Sequence, residues 1–133
     1  MTMTVVSQLP EEETTLEWIV GDFLEFWLTI TDPDPDSPDP ENPVMVIRNL
    51  TGWTVAAQIR KDVKLASPVI AEFSFDDLDE SGEIHAMLTG EESSKLDGYR
   101  AARWDLQLTD PSGKPQTIMY GPAKPEGQVT RDV

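Results

Sequence analysis

The stretch that decides the fold is FLEFWLTIT, residues 23–31. Aromatic and β-branched side chains fill it, and these suit a pleated, half-buried surface. Side chains alternate across a strand, so Leu24, Phe26, Leu28 and Ile30 share one face. Phe23, Glu25, Trp27 and Thr29 share the other. The first face is the core candidate. The second is half apolar, which is unusual for a strand face in water.

Upstream, Gly21-Asp22 permits a turn, and Leu16–Val20 reads as the first regular element. Residues 1–15, with three successive glutamates, read as an acidic N-terminal arm that is mobile or ordered by a partner. Downstream, DPDPDSPDPENP (32–43) is a stiff, extended acidic loop. Its prolines lack amide donors and push their predecessors towards extended geometry. Val44–Ile47 reads as a short strand in or beside that loop.

The same alternation recurs along the chain. Trp53, Val55, Ala57 and Ile59 face inward in one strand, and Val69, Ala71, Phe73 and Phe75 in the next. Ile84, Ala86 and Leu88 form a third inward row, and Ala102, Trp104, Leu106 and Leu108 a fourth. Thr89 and Glu92 have capping-box spacing, which predicts one helical turn up to Leu96. Asp110-Pro-Ser-Gly113 is a hairpin turn, and Gln116–Tyr120 the returning strand. In the tail only Val129 and Thr130 continue the pattern. About seven short strands at regular spacing predict an all-β two-sheet sandwich over residues 16–133.

Composition narrows the function. Of 25 acidic residues, 11 lie in residues 1–47, where no lysine or arginine occurs, and the formal net charge is −15. Such a surface repels phosphate, so neither nucleic acid nor an anionic membrane is an expected partner. The absence of cysteine excludes disulfides and a thiol nucleophile. MTMTVVSQLPEEE lacks the basic-then-apolar order of a secretory signal, and no apolar run approaches the roughly 18 residues of a membrane span.

Candidate chemistry is sparse. Asp76, Asp77, Asp79 and Glu80 share one turn, but a general acid needs a pKa raised by burial, which an exposed turn does not provide. Asp32, Asp34 and Asp36 have the spacing that opens many calcium loops. Pro33 and Pro35 interrupt it, and Ser37 and Pro43 stand where glycine and glutamate belong. His85 is the only histidine, placed on the outer face of its strand beside Glu83 and Met87. No catalytic residue, metal or cofactor is therefore expected. Trp18 and Trp27 remain: each faces a partner, or is covered by another strand, the arm or the acidic loop. Aromatics are enriched at interface centres, so the candidate interface is Phe23, Trp27, Trp18, His85 and Met87. Trp18, Trp27 or Tyr120 would alternatively be stacking platforms in a carbohydrate- or receptor-binding module.

The order of signals resembles a family of small tailed-phage virion proteins, typified by the N-terminal immunoglobulin-like domain of phage baseplate upper proteins. The matching pieces are Gly21-Asp22, then Leu28-Thr29-Ile30-Thr31-Asp32, and Leu50-Thr51-Gly52-Trp53-Thr54-Val55 leading into Ala57-Gln58-Ile59-Arg60. They continue with Gly82-Glu83-Ile84, Leu88-Thr89, Leu96-Asp97-Gly98-Tyr99 and Trp104-Asp105-Leu106-Gln107-Leu108-Thr109-Asp110. Ser112-Gly113-Lys114, Ile118, Gly121 and Val129-Thr130-Arg131 complete the series. The arm before residue 16 and the Asp-Pro loop depart from it. The resemblance implies that the sandwich is immunoglobulin-like, and that the chain is a non-enzymatic virion part, assembled in the host cytoplasm as a symmetric oligomer. Its partners would be other virion proteins and copies of itself. Its place would be the tail, baseplate or fibre attachment, with capsid decoration as the alternative.

Overall fold

The computed structural model describes residues 2–6, 13–62 and 67–127. Its strands are β1 (Thr2–Val6), β2 (Leu16–Ile19), β3 (Leu24–Pro33), β4 (Met45–Ile47), β5 (Thr54–Arg60), β6 (Val69–Glu72), β7 (Ser74–Phe75), β8 (Glu83–Leu88), β9 (Ala102–Thr109) and β10 (Pro115–Glu126). One short helix, α1 (Gly90–Ser94), follows β8. One sheet runs β1-β3-β8-β7, with β4 also on β3; the other runs β2-β10-β9-β5-β6. The two pack face to face as the all-β sandwich that the alternation predicts.

The core is made by the inward rows. Phe26, Leu28, Ile30, Ile84, Ala86 and Leu88 from one sheet meet Ile59, Trp104, Leu106 and Leu108 from the other, all buried. Phe26 bridges the sheets, with its ring 5.9 Å from Trp104 and 5.8 Å from Phe73, both edge-on. Phe73 sits where the chain leaves β6 in one sheet and enters β7 in the other. The single strand expected around it is thus two, and Val69 at its start is exposed. Trp53 packs only partly against the core, beneath the Arg48 guanidinium at 5.0 Å.

Three further parts differ from expectation. The stretch assigned to the arm contains β1, which pairs parallel with β3 in the register Thr2↔Trp27 to Val6↔Thr31. Glu13 and Thr14, also in the arm, are tied to the sandwich. Arg103 Nη2 donates to Glu13 at 2.6 Å, and Trp104 Nε1 to the Thr14 carbonyl at 2.8 Å. The last strand does not stop at Tyr120 but runs to Glu126. Its prolines are tolerated because each has a neighbour on one side only: Pro122 pairs with β9 before β2 begins, and Pro125 with β2 after β9 has ended. A bulge between Thr117 and Met119 lets both Ile118 and Met119 reach the interior. Val129 and Thr130 lie outside the described residues.

Helix α1 forms where the capping spacing predicts it. Thr89 Oγ1 accepts from Glu92 N at 3.2 Å. The reciprocal half of the box is absent, because Glu92 instead accepts from Glu72 N at 3.0 Å and pairs with Lys95. That ties the helix to β6.

Candidate functional site

The outer face of the β3–β8 pair carries most of the candidate interface residues. The register sets Trp27 opposite His85 and Glu25 opposite Met87. Trp27 and His85 stack with ring centres 4.5 Å apart and planes 3° from parallel. His85 Nδ1 lies 2.7 Å from Asp76, and Nε2 lies 2.8 Å from Glu25. Carboxylates only accept, so this geometry suits a ring donating from both nitrogens, the imidazolium. The hydrogen bond to Asp76, then that to Glu25, raises the His85 pKa above its ordinary value, against the opposing effect of burial. The cluster fixes Trp27 and His85 in one orientation, and both remain partly accessible beside Met87. Phe23, just before β3, is 55% exposed.

Trp18 does not belong to this face. It is 7% exposed, and its Nε1 donates to the buried Ser93 hydroxyl at 2.9 Å. The same hydroxyl accepts from Gly21 N. Trp18 is therefore a core residue joining β2 to α1, and its burial rules out stacking on a ligand. Tyr120 lies on the outer face of the other sheet, opposite Asp105, whose pKa is raised by burial and partly restored by Arg60.

A second exposed apolar surface lies at β4 and the residue before it, a stretch expected only as a short strand. Val44, Met45, Val46 and Ile47 are each 40–59% exposed. Alternation gives β4 two faces, and both carry exposed apolar side chains. This ribbon continues the outer face of β8, since Ile47 pairs with Thr31 and abuts Gly82, the residue before β8.

The acidic loop folds back to present the ribbon. Asp34 N donates to the Val44 carbonyl, and Val44 N donates to Ser37 Oγ. Asp34 and Asp39 close successive local turns by accepting from Asp36 N and Glu41 N. The Asn42 amide, with Glu41 N–H, holds the Asp39 carboxyl below its ordinary pKa. At the base, Arg48 grips Asp32 through Nε at 2.8 Å and Nη2 at 2.6 Å. Asp32 is thus committed to a cation of the protein itself. Among the described residues no group of three or more histidine, aspartate or glutamate side chains is arranged to hold a metal ion.

Three of the expected interface residues, Trp27, His85 and Met87, are brought onto one face, with Phe23 at its margin. The carboxylates that orient His85 and the exposure of the ribbon were not anticipated. A run of four apolar residues bordering an acidic loop was the available signal. No family model matches the chain, and a search of curated proteins finds no match to it.

Proposed function

We propose that the chain is a non-catalytic structural component of a tailed-phage virion, a protein-binding module of the tail or baseplate or of its fibre attachment. The observation that carries this reading is the run Val44–Ile47, exposed on both faces of a short strand. A contiguous apolar surface rimmed by polar groups is the usual mark of a docking site. The ordered series of motifs from Gly21 to Thr130 supplies the virion context. Copies would dock on a larger virion protein in a symmetric array.

The test is quantitative mass spectrometry of purified particles from the genome that encodes the chain. The proposal expects the protein at a fixed copy number per particle, and labelled particles should carry it on the tail. Label on the head would move the protein to the decoration role. Recovery only in the soluble fraction would refute a virion role.

A further inference from the structure

We infer that β4 is the acceptor edge for an extended segment of a partner protein, with an apolar centre and lysine- or arginine-rich flanks, which adds to the sheet as a further strand. This rests on reading Val44–Ile47 as a docking surface and names what docks there.

The backbone sets the first requirement. The Val44 carbonyl and Arg48 N–H are directed at β3, where they bond Asp34 N and the Ile30 carbonyl. Backbone groups alternate in direction along a strand. Val46 therefore also faces β3, whereas the N–H and C=O of Met45 and Ile47 point the opposite way. Among the described residues no strand pairs with that side. Exposed edges are ordinarily guarded by lysines, prolines or bulges within the strand. This edge has apolar side chains instead, so an incoming strand finds open hydrogen-bonding groups and apolar surface together.

Charge sets the second requirement. Asp34, Asp36, Asp39 and Glu41 lie in the loop leading into β4, and none forms an ion pair among the described residues. The loop runs directly into β4 and is hydrogen-bonded to Val44, so its carboxylates lie near the end of any strand added there, attracting basic flanks and repelling acidic ones. A second copy of the chain is a poor occupant, because each copy carries a net charge of −15.

The test uses the full chain and fluorescence anisotropy with synthetic peptides of alternating valine and threonine. One peptide is flanked by lysines and the other by glutamates. At low salt the lysine-flanked peptide should bind saturably and at least about tenfold more tightly, and added salt should erase the difference. Replacing Asp34→Asn, Asp36→Asn, Asp39→Asn and Glu41→Gln together keeps acceptor oxygens for the turns and should also erase it. N-methylating the peptide on alternate amides should abolish binding in the register that faces β4. Met45→Pro removes an outward donor without removing a bond to β3, and should abolish binding with the fold retained by circular dichroism.

Equal binding of both peptides, or binding indifferent to N-methylation in either register, would overturn the inference. So would a dimer in sedimentation that Met45→Pro dissociates, since the occupant would then be a second copy. Peptide failure with the chain present in particles removes only this inference. Peptide binding with the chain absent from particles removes only the virion role.

Discussion

Trp27 and His85 occupy directly opposed positions in β3 and β8, and their rings stack 4.5 Å apart while Asp76 and Glu25 engage the two imidazole nitrogens. The arrangement ties a charge state to a surface geometry. The stacked pair is held most firmly when His85 is protonated.

Stability should therefore depend on pH in a definite direction. The folded-state pKa of His85 is raised above the ordinary 6.5, chiefly by Asp76 and then by Glu25. The folded protein thus binds more protons than the unfolded chain between 6.5 and that raised value. The His85 contribution is fully present below pH 6.5 and is lost as pH rises through the folded-state pKa. Guanidinium midpoints should fall over this window, and His85→Ala should remove that fall. As the only histidine, His85 gives one set of imidazole signals to titrate by NMR. A measured pKa at or below 6.5 would sink the prediction.

Removing the Ser93 hydroxyl should cost more than its size suggests. It accepts from both Trp18 Nε1 and Gly21 N. Ser93→Ala leaves these donors without their acceptor and should destabilise by about 1–3 kcal/mol. Urea denaturation measures this, and a change below about 0.5 kcal/mol would show that the bonds carry little weight.

Gly82, the residue before β8, lies against the ribbon. Its φ is +69°, and a Cβ there would lie 2.5 Å from Ile47 Cγ2 and 2.7 Å from the Arg48 carbonyl. Gly82→Ala should cost at least about 1–2 kcal/mol from the backbone conformation alone. It should also speed hydrogen exchange at Val46 and Arg48, whose amides face β3. Unchanged exchange would mean that the ribbon is not seated on Gly82.

Two tryptophans should respond very differently to truncation. Trp104→Ala opens a hole beside Phe26 and should cost about 3–5 kcal/mol. Trp27→Ala loses mainly the surface stack on His85, about 0.5–1.5 kcal/mol, and should leave the fold intact. Comparable losses at the two positions would place Trp27 in the core.

The rows Phe26–Ile30, Ile84–Leu88 and Ala102–Leu108 were legible because burial on one face imposes a period of two. Helix α1 was legible at Thr89 because capping is a local interaction. What the sequence hid depends on distant partners. Trp18 is a core residue only because β2 pairs with the proline-containing end of β10, a strand that Pro122 and Pro125 argue against when read alone. Glu25 and Asp76 reach His85 from 60 and 9 residues away, and no spacing rule links them. The exposure of Val44–Ile47 was hidden for the opposite reason: apolar residues ordinarily signal burial, and only the assembled sheet leaves them outside.

The proposed docking of the domain in a virion through the ribbon can be tested directly. The most direct measurement is particle incorporation of Val44→Thr combined with Ile47→Thr, which keeps β-branched side chains on exposed sites. The expected result is an unchanged denaturation midpoint and a loss of at least about tenfold in copies per particle, because burial of these side chains would drive docking. Full incorporation of the folded variant would contradict it.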